Sequence, residues 1–199
     1  MTGAATLLPV KKHSAYIERM ATPDLLTAED LLALNIQDKR TELVRGRLIV
    51  REPAGFRHGV IAMELARRLA DFVKTHALGV VVASETGFTL ARNPDTVRAS
   101  DVGFIQAARV PRPLPRGYAE IAPDLAAEVL SPDARAGEVL AKISDWLNAG
   151  CQLVWIIDPD RRMARVYRAD GSESLLSADA ALDGEDLLPG FTCRVDDLV

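Results

Sequence analysis

Cysteine is nearly absent: Cys151 and Cys193 stand far apart, without the close spacing of a zinc ribbon. That pattern excludes a disulfide scaffold and fits a reducing cytosol, so a cytoplasmic location is expected. Aromatic residues make up only 5% of the chain, too few for base stacking to dominate binding to a nucleic acid. Positive charge is not in excess. The formal net charge is −4, which counts against constitutive tight binding to DNA but leaves room for a local basic patch. No apolar run approaches the roughly 20 residues of a membrane span. The amino-terminal stretch MTGAATLLPVKKHSAYIERM carries its apolar residues before its lysines, the reverse of a secretory signal.

What remains is an ordinary globular composition. The 199 residues, 48% hydrophobic and 26% charged, suffice for one domain with a full core. Residues 1–22 read as an amino-terminal extension and 23–199 as the domain. Thr27 opens a short helix with Asp30 three residues on, a capping pattern. Thr41–Glu52 alternates through Leu43, Leu48 and Val50 around Arg45-Gly46, a hairpin signal. Gly59–Thr75 repeats apolar residues at helical spacing. Gly79–Ala83 and Gly87–Ala91 read as two strands, followed by a turn at Arg92–Asp95. A strand through Asp101 ends near Gln106. Three prolines in Arg109–Gly117 exclude helix and central strand, which leaves a loop rimmed with arginines. Leu125–Leu130 reads as a buried strand, Ala134–Ala149 as a helix stopped by Gly150, and Gln152–Ile157 as a second buried strand. Together these three form a right-handed, parallel βαβ unit. Met163–Arg168 is a further strand, and Leu188–Val199 is expected to add one at an edge. The fold class is therefore α/β.

Two acids stand out because they fall in apolar runs. Glu128 lies inside Leu125–Leu130, bounded by Pro123 and Pro132, and Asp101 opens the run SDVGFI. A carboxylate in such a place is costly unless it is paired, protonated or bound to a cation. Two acids at strand positions followed by a lysine, here Lys142, form the set that a divalent-metal hydrolytic site needs. One or two metal ions activate water and neutralise charge on a phosphate, and a lysine orients or deprotonates the water or stabilises developing charge. Magnesium accepts two or three carboxylates and keeps several waters. Glu42, at the start of the hairpin, is a fourth candidate.

Taken together, TELVRGRLIV, the isolated His58 opening the first long helix, SDVGFI, PDLAAEVLSP and the Lys142–Trp146 helix running into AGCQLVWIIDP resemble the Uma-two family. That family belongs to the restriction-endonuclease-like PD-(D/E)XK superfamily. The resemblance spans about residues 27–195. It implies a restriction-endonuclease-like core, a central mixed β-sheet flanked by helices, and a site for Mg²⁺ or Mn²⁺ at Asp101 and Glu128. Glu42 would contribute from the hairpin and Lys142 would act as the catalytic lysine. The superfamily's lysine usually follows the glutamate by two residues, a position held here by Leu130. Lys142 matches the alternative location on the following helix. Ser100 stands where proline is usual, and Trp146 where tyrosine is.

The expected activity is metal-dependent hydrolysis of phosphodiester bonds by an endonuclease, with DNA as partner. The alternative is a catalytically inactive module that keeps the fold and binds nucleic acid or protein. A homodimer would suit the cutting of both strands. Plainer roles stand beside the chemical ones: Glu128 as a buried acid paired with an arginine, Asp101 as a strand-end cap, Lys142 as a solvated helix lysine, and Glu42 in a hairpin salt bridge. His58 could cap its helix or contact phosphate. Arg109, Arg112 and Arg116 could grip a phosphate backbone from their loop, against the plainer reading of a merely solvated loop. Trp146 and Trp155 fall on apolar faces and are expected in the core.

Overall fold

The computed structural model describes residues 25–34 and 36–199, and the extension read at residues 1–22 lies outside them. The first helix, α1 (Ala28–Ala33), is opened by Thr27. The hydroxyl of Thr27 accepts from the Asp30 N–H, and the Asp30 carboxylate accepts from the Thr27 N–H. Next comes the hairpin of β1 (Arg40–Val44) and β2 (Arg47–Arg51). Its two-residue turn needs left-handed backbone at both positions, and Arg45 and Gly46 have φ of 49° and 75°. A side chain at Gly46 would also meet the Leu25 Cβ at 2.5 Å.

The long helix α2 (Phe56–Thr75) starts three residues earlier than its apolar periodicity predicts. Phe56 and Arg57 are polar-face or exposed positions that carry no periodic signal. Ile61, Leu65, Leu69 and Val73 form its buried stripe, each worth roughly 1.5–3 kcal/mol of burial. They pack on one sheet face against Val102, Phe104, Leu125, Trp155 and Ile157. The opposite face is covered by α3 (Ala136–Asn148) through Ile143 and Trp146, which meet Phe88, Ala126, Val154 and Ile156. Gly150, at φ 99°, ends that helix.

The main sheet has eight strands. β3 (Gly79–Ala91) and β4 (Thr96–Gln106) form its longest pair, and β5 (Leu125–Val129), β6 (Leu153–Asp158), β7 (Met163–Arg168) and β8 (Glu173–Leu176) complete it. The order is β2-β1-β4-β5-β6-β7-β8, with β3 also on β4. Among the strand pairs of the described residues only β5 and β6 run parallel, as the βαβ reading required. The result is a mixed sheet flanked by helices.

Two sequence expectations are corrected. Gly79–Ala91 is one strand, not two: it runs through a bulge where Ser84 and Glu85 together face Asp101, and Glu85 takes φ 69°. The polar tripeptide Ser84-Glu85-Thr86 looks like a break because one residue is extra, not because pairing stops. The carboxy-terminal stretch does not extend the main sheet. β9 (Ala181–Asp183) and β10 (Thr192–Arg194) form a separate two-stranded sheet, whose Leu182 and Cys193 pack into the α2 side of the core. At that end of the main sheet the edge strand is β8, and at the other it is β2. Among the described residues no helix is long and apolar enough to cross a membrane.

Candidate active site

β4 forks. Its one edge is taken by β3 along most of its length. The other is shared by β1, which meets it at Val97, and β5, which meets it from Val102 to Phe104. Between those contacts the β4 backbone has no strand neighbour on that edge, and buried backbone groups need partners. Side chains provide them. The Ala99 N–H donates to Glu42 Oε1 at 3.0 Å, and the Ala99 carbonyl accepts from Lys142 Nζ at 2.8 Å. The fork is thus closed by two of the residues singled out in the sequence.

Asp101 lies at the same fork. Continuing the β4–β5 register by one step sets it across from Glu128, so their side chains leave the same face of the sheet. Asp101 Oδ2 accepts the Val129 N–H at 2.8 Å, and Oδ1 lies 3.1 Å from His58 Nε2 at the start of α2. Glu128 Oε2 accepts from Lys142 Nζ at 2.8 Å, and its Oε1 accepts from the Trp146 indole at 3.1 Å. Lys142 Nζ also lies 3.1 Å from Glu42 Oε1. Glu42, Asp101, Glu128, Lys142 and His58 therefore come together from five different elements. Trp146 is core, as its apolar surroundings predicted, yet its N–H serves the site.

The electrostatics divide the three acids. Burial pushes Glu128 up to about 7, helped by the negative charges of Asp101 and Glu42 and opposed by Lys142. Glu42 feels the same burial, but Lys142, Arg98 and the Ala99 N–H outweigh it and hold the carboxyl at about 2. In Asp101, too, burial is outweighed, by His58, Lys142 and the Val129 N–H, so its pKa falls below the ordinary carboxylate value. Lys142 is raised: burial disfavours its charge, but Glu128, Glu42 and Asp101 together keep it protonated.

Arg98 and Asp145 carry no sequence signal of their own, yet they brace this cluster. The buried Arg98 guanidinium donates to Glu42 Oε2 at 2.9 Å and, through Nε and Nη2, to Asp145 on α3 at 2.9 and 2.6 Å. Arg98 alternates with Val97 and Ala99 in a strand that periodicity reads as merely half-buried. Glu42 is thereby committed to Arg98, Ala99 and Lys142, and its place is beside the lysine. A buried arginine partner was the plain alternative for Glu128; the structure gives that partner to Glu42.

The loop arginines lie elsewhere. Arg109 is spent on the fully buried Asp124, at 2.6 Å, and on the Ala122 carbonyl at 3.1 Å, and neither Arg112 nor Arg116 lines the clefts that open at the site. Two clefts do. One holds His58, Asp101, Glu128 and Lys142, the other Glu42, Ser100, Asp101 and Lys142, and both are lined by Arg40 and Arg51.

Among the described residues no group of three histidine, cysteine, aspartate or glutamate side chains is arranged as a metal cage. Asp101 and Glu128 form a pair, not a cage. A pair suits magnesium, which is commonly held by one or two carboxylates with waters and substrate phosphates filling the rest. The donor set is all oxygen, and around Arg98 and Lys142 stand four carboxylates, Glu42, Asp101, Glu128 and Asp145. That local excess of negative charge is what an added divalent cation would offset, so the residues present fit the ion.

Comparisons with known proteins bear on the family and the fold. A family model described as "Uma2: Putative restriction endonuclease" matches residues 28–196. The crystal structure of a putative nuclease belonging to DUF820 from Anabaena variabilis superposes with a TM-score of 0.75. It is 26% identical, over 87% of this chain and 97% of that one. No curated protein matches the sequence. With a family match running from the first described helix to the last strands, on a nuclease-like fold, the chain belongs to the Uma2 family of restriction-endonuclease-like proteins.

Proposed function

We propose that this chain is a metal-dependent endonuclease that hydrolyses phosphodiester bonds in DNA. One observation carries the reading. Asp101, midway along β4, and Glu128, near the end of β5, lie across from each other and share a cleft with a lysine held between acids. Asp101 and Glu128 would hold Mg²⁺ or Mn²⁺, which supplies Lewis-acid activation of water and neutralises charge on the phosphate.

The chain's own residues do the rest. Lys142 is fixed by Glu128, Glu42 and the Ala99 carbonyl, and three acids keep it cationic. It therefore serves as a positive charge that orients the attacking water and stabilises the negative charge that develops on phosphate, rather than as a proton acceptor. Glu42 positions Lys142. His58 and the Val129 N–H fix the two oxygens of Asp101, and the Trp146 indole fixes one oxygen of Glu128.

Nicking of supercoiled plasmid by the full chain tests the reading. Cleavage is expected with Mn²⁺ or Mg²⁺, with loss on chelation. Asp101→Asn, Glu128→Gln and Lys142→Met should each lose about a hundredfold or more in rate, the scale for removing a charge-stabilising group. Undiminished cleavage by both carboxylate variants would overturn the assignment.

A second reading has its own observation. Each oxygen of Asp101 and Glu128 already has a protein donor, as in a closed ion-pair cluster. A non-catalytic module that keeps the fold would need no more than this, and it would take up no Mn²⁺ through Glu128.

A further inference from the structure

The hairpin that delivers Glu42 to the fork carries two arginines in a place where sheets disfavour them. Arg40, the first residue of β1, and Arg51, the last of β2, are direct cross-strand partners. Directly opposed side chains leave the same face about 5 Å apart at their Cβ atoms, and like charges there are destabilising. Both arginines line both clefts of the site, beside Asp101 and Lys142.

Nearby acids answer this charge only in part. Arg51 donates to Glu138 at 2.9 Å, but that pair is nearly half exposed on each side, the kind worth little in water. Arg40 spends Nε on the Glu52 carbonyl at 3.1 Å, and its Nη1 stops 4.0 Å from Asp101 Oδ1. That is too far for a hydrogen bond. Its side chain is only 29% exposed, so its forked donors are held in place without a close acidic partner. The neighbouring Lys39 engages Glu52 and adds to the basic edge of the second cleft. Guanidinium groups with donors left over are suited to phosphate oxygens.

We propose that Arg40 and Arg51 form a phosphate grip, a cross-strand guanidinium pair that holds phosphodiester groups of a polynucleotide strand beside Asp101 and Lys142. The inference rests on the nuclease reading and names the groups that would bind its substrate. It gives a protein of net charge −4 a local means of holding a polyanion, two arginines that line both clefts of the site. It also moves the phosphate contacts from the proline-rich loop to the hairpin.

The test is binding of a labelled DNA oligonucleotide to the full chain, with Ca²⁺ in place of Mg²⁺, across a salt series. The variants are Arg40→Gln, Arg51→Gln and the double substitution. Arg194→Gln, on the separate small sheet, controls for net charge. Each grip substitution should weaken binding by about tenfold and lower the slope of log affinity against log salt by about 1, while Arg194→Gln changes neither. Melting temperatures of the grip variants should stay level or rise, because a like-charge pair has been relieved.

Wild-type affinity and salt slope in the double variant, together with a lower melting temperature, would make the arginines structural and overturn the grip. Plasmid cleavage in Mn²⁺ separates the two ideas. A double variant that binds and cuts like the wild type sinks the grip alone. A wild-type chain that neither binds nor cuts sinks the nuclease reading and the grip with it. Inorganic phosphate that displaces the oligonucleotide at equal phosphate concentration would also overturn the strand-binding claim, since a strand engages both arginines at once.

Discussion

Strand β5 has a buried acid at each end, and the two behave in opposite ways. Asp124, just before the strand, is 0% exposed. It accepts from the Gln106 N–H at 2.8 Å, from Arg109 at 2.6 Å and from the Gln152 amide at 2.9 Å. One negative charge meets one positive charge and two neutral donors, no cleft among those at the site reaches it, and the cluster is complete. Glu128, near the other end, shares a single lysine with Glu42 and with the charge of Asp101, and it opens onto a cleft. Burial alone does not separate a structural acid from one proposed to bind a metal. The difference lies in whether the local charges already balance and whether a ligand can arrive.

The sharpest way to break that contrast is to remove the structural acid. Asp124→Ala removes the acceptor of three hydrogen bonds to a charged group, each worth about 1.5–3 kcal/mol, and leaves the Gln106 N–H without its partner. Urea denaturation should show this as a large fall in midpoint. A small change would mean that the two ends of β5 are less different than their geometry suggests.

Glu42 comes next. Its carboxyl is held at about 2 against an ordinary 4.5. A depressed acid contributes stability that is present above the unfolded value and is lost as pH falls through the folded one. The shift corresponds to about 3 kcal/mol. Glu42→Gln should therefore be less stable than the wild type by about that amount at pH 7, and the gap should narrow as pH falls from 4.5 towards 2. A gap independent of pH would remove the ionic account of the brace.

Glu128 should show the opposite sign. A carboxyl raised to about 7 stabilises the fold below 4.5, and that contribution is lost as pH rises to 7. Glu128→Gln should consequently gain stability relative to the wild type between pH 5 and pH 8, a smaller effect because Lys142 loses a partner in the same change. Falling relative stability over that range would contradict the charge imbalance argued for the site. The smallest effect expected is for Arg112→Gln. That residue lies on the proline-rich loop away from both clefts, and the substitution should alter stability by no more than about 0.5 kcal/mol.

Much of this contrast could be read in the sequence, and the reasons differ by residue. Glu128 and Asp101 were visible because each interrupts an apolar run, and the parallel pairing of β5 with β6 followed from the strand–helix–strand pattern. Asp124 carries no such signal because, beside Pro123, it looks like any loop acid; only the fold brings Arg109 and Gln152 onto it. Arg109, conversely, looked free because prolines surround it. Arg98 and Asp145 are ordinary charged residues in chain order and meet Glu42 only through the fork of β4, a feature of pairing that no local pattern encodes. The bulge across from Asp101 hid for a related reason: one extra polar residue reads as a break between two strands.

Calorimetric titration of Mn²⁺ into the full chain and into Glu128→Gln at pH 8 tests the central claim most directly. The account predicts saturable binding by the natural chain and its loss in the variant, with the fold intact by circular dichroism. Equal binding by both, or none by the natural chain, would contradict it and leave the Glu128 end of β5 as closed a cluster as the Asp124 end.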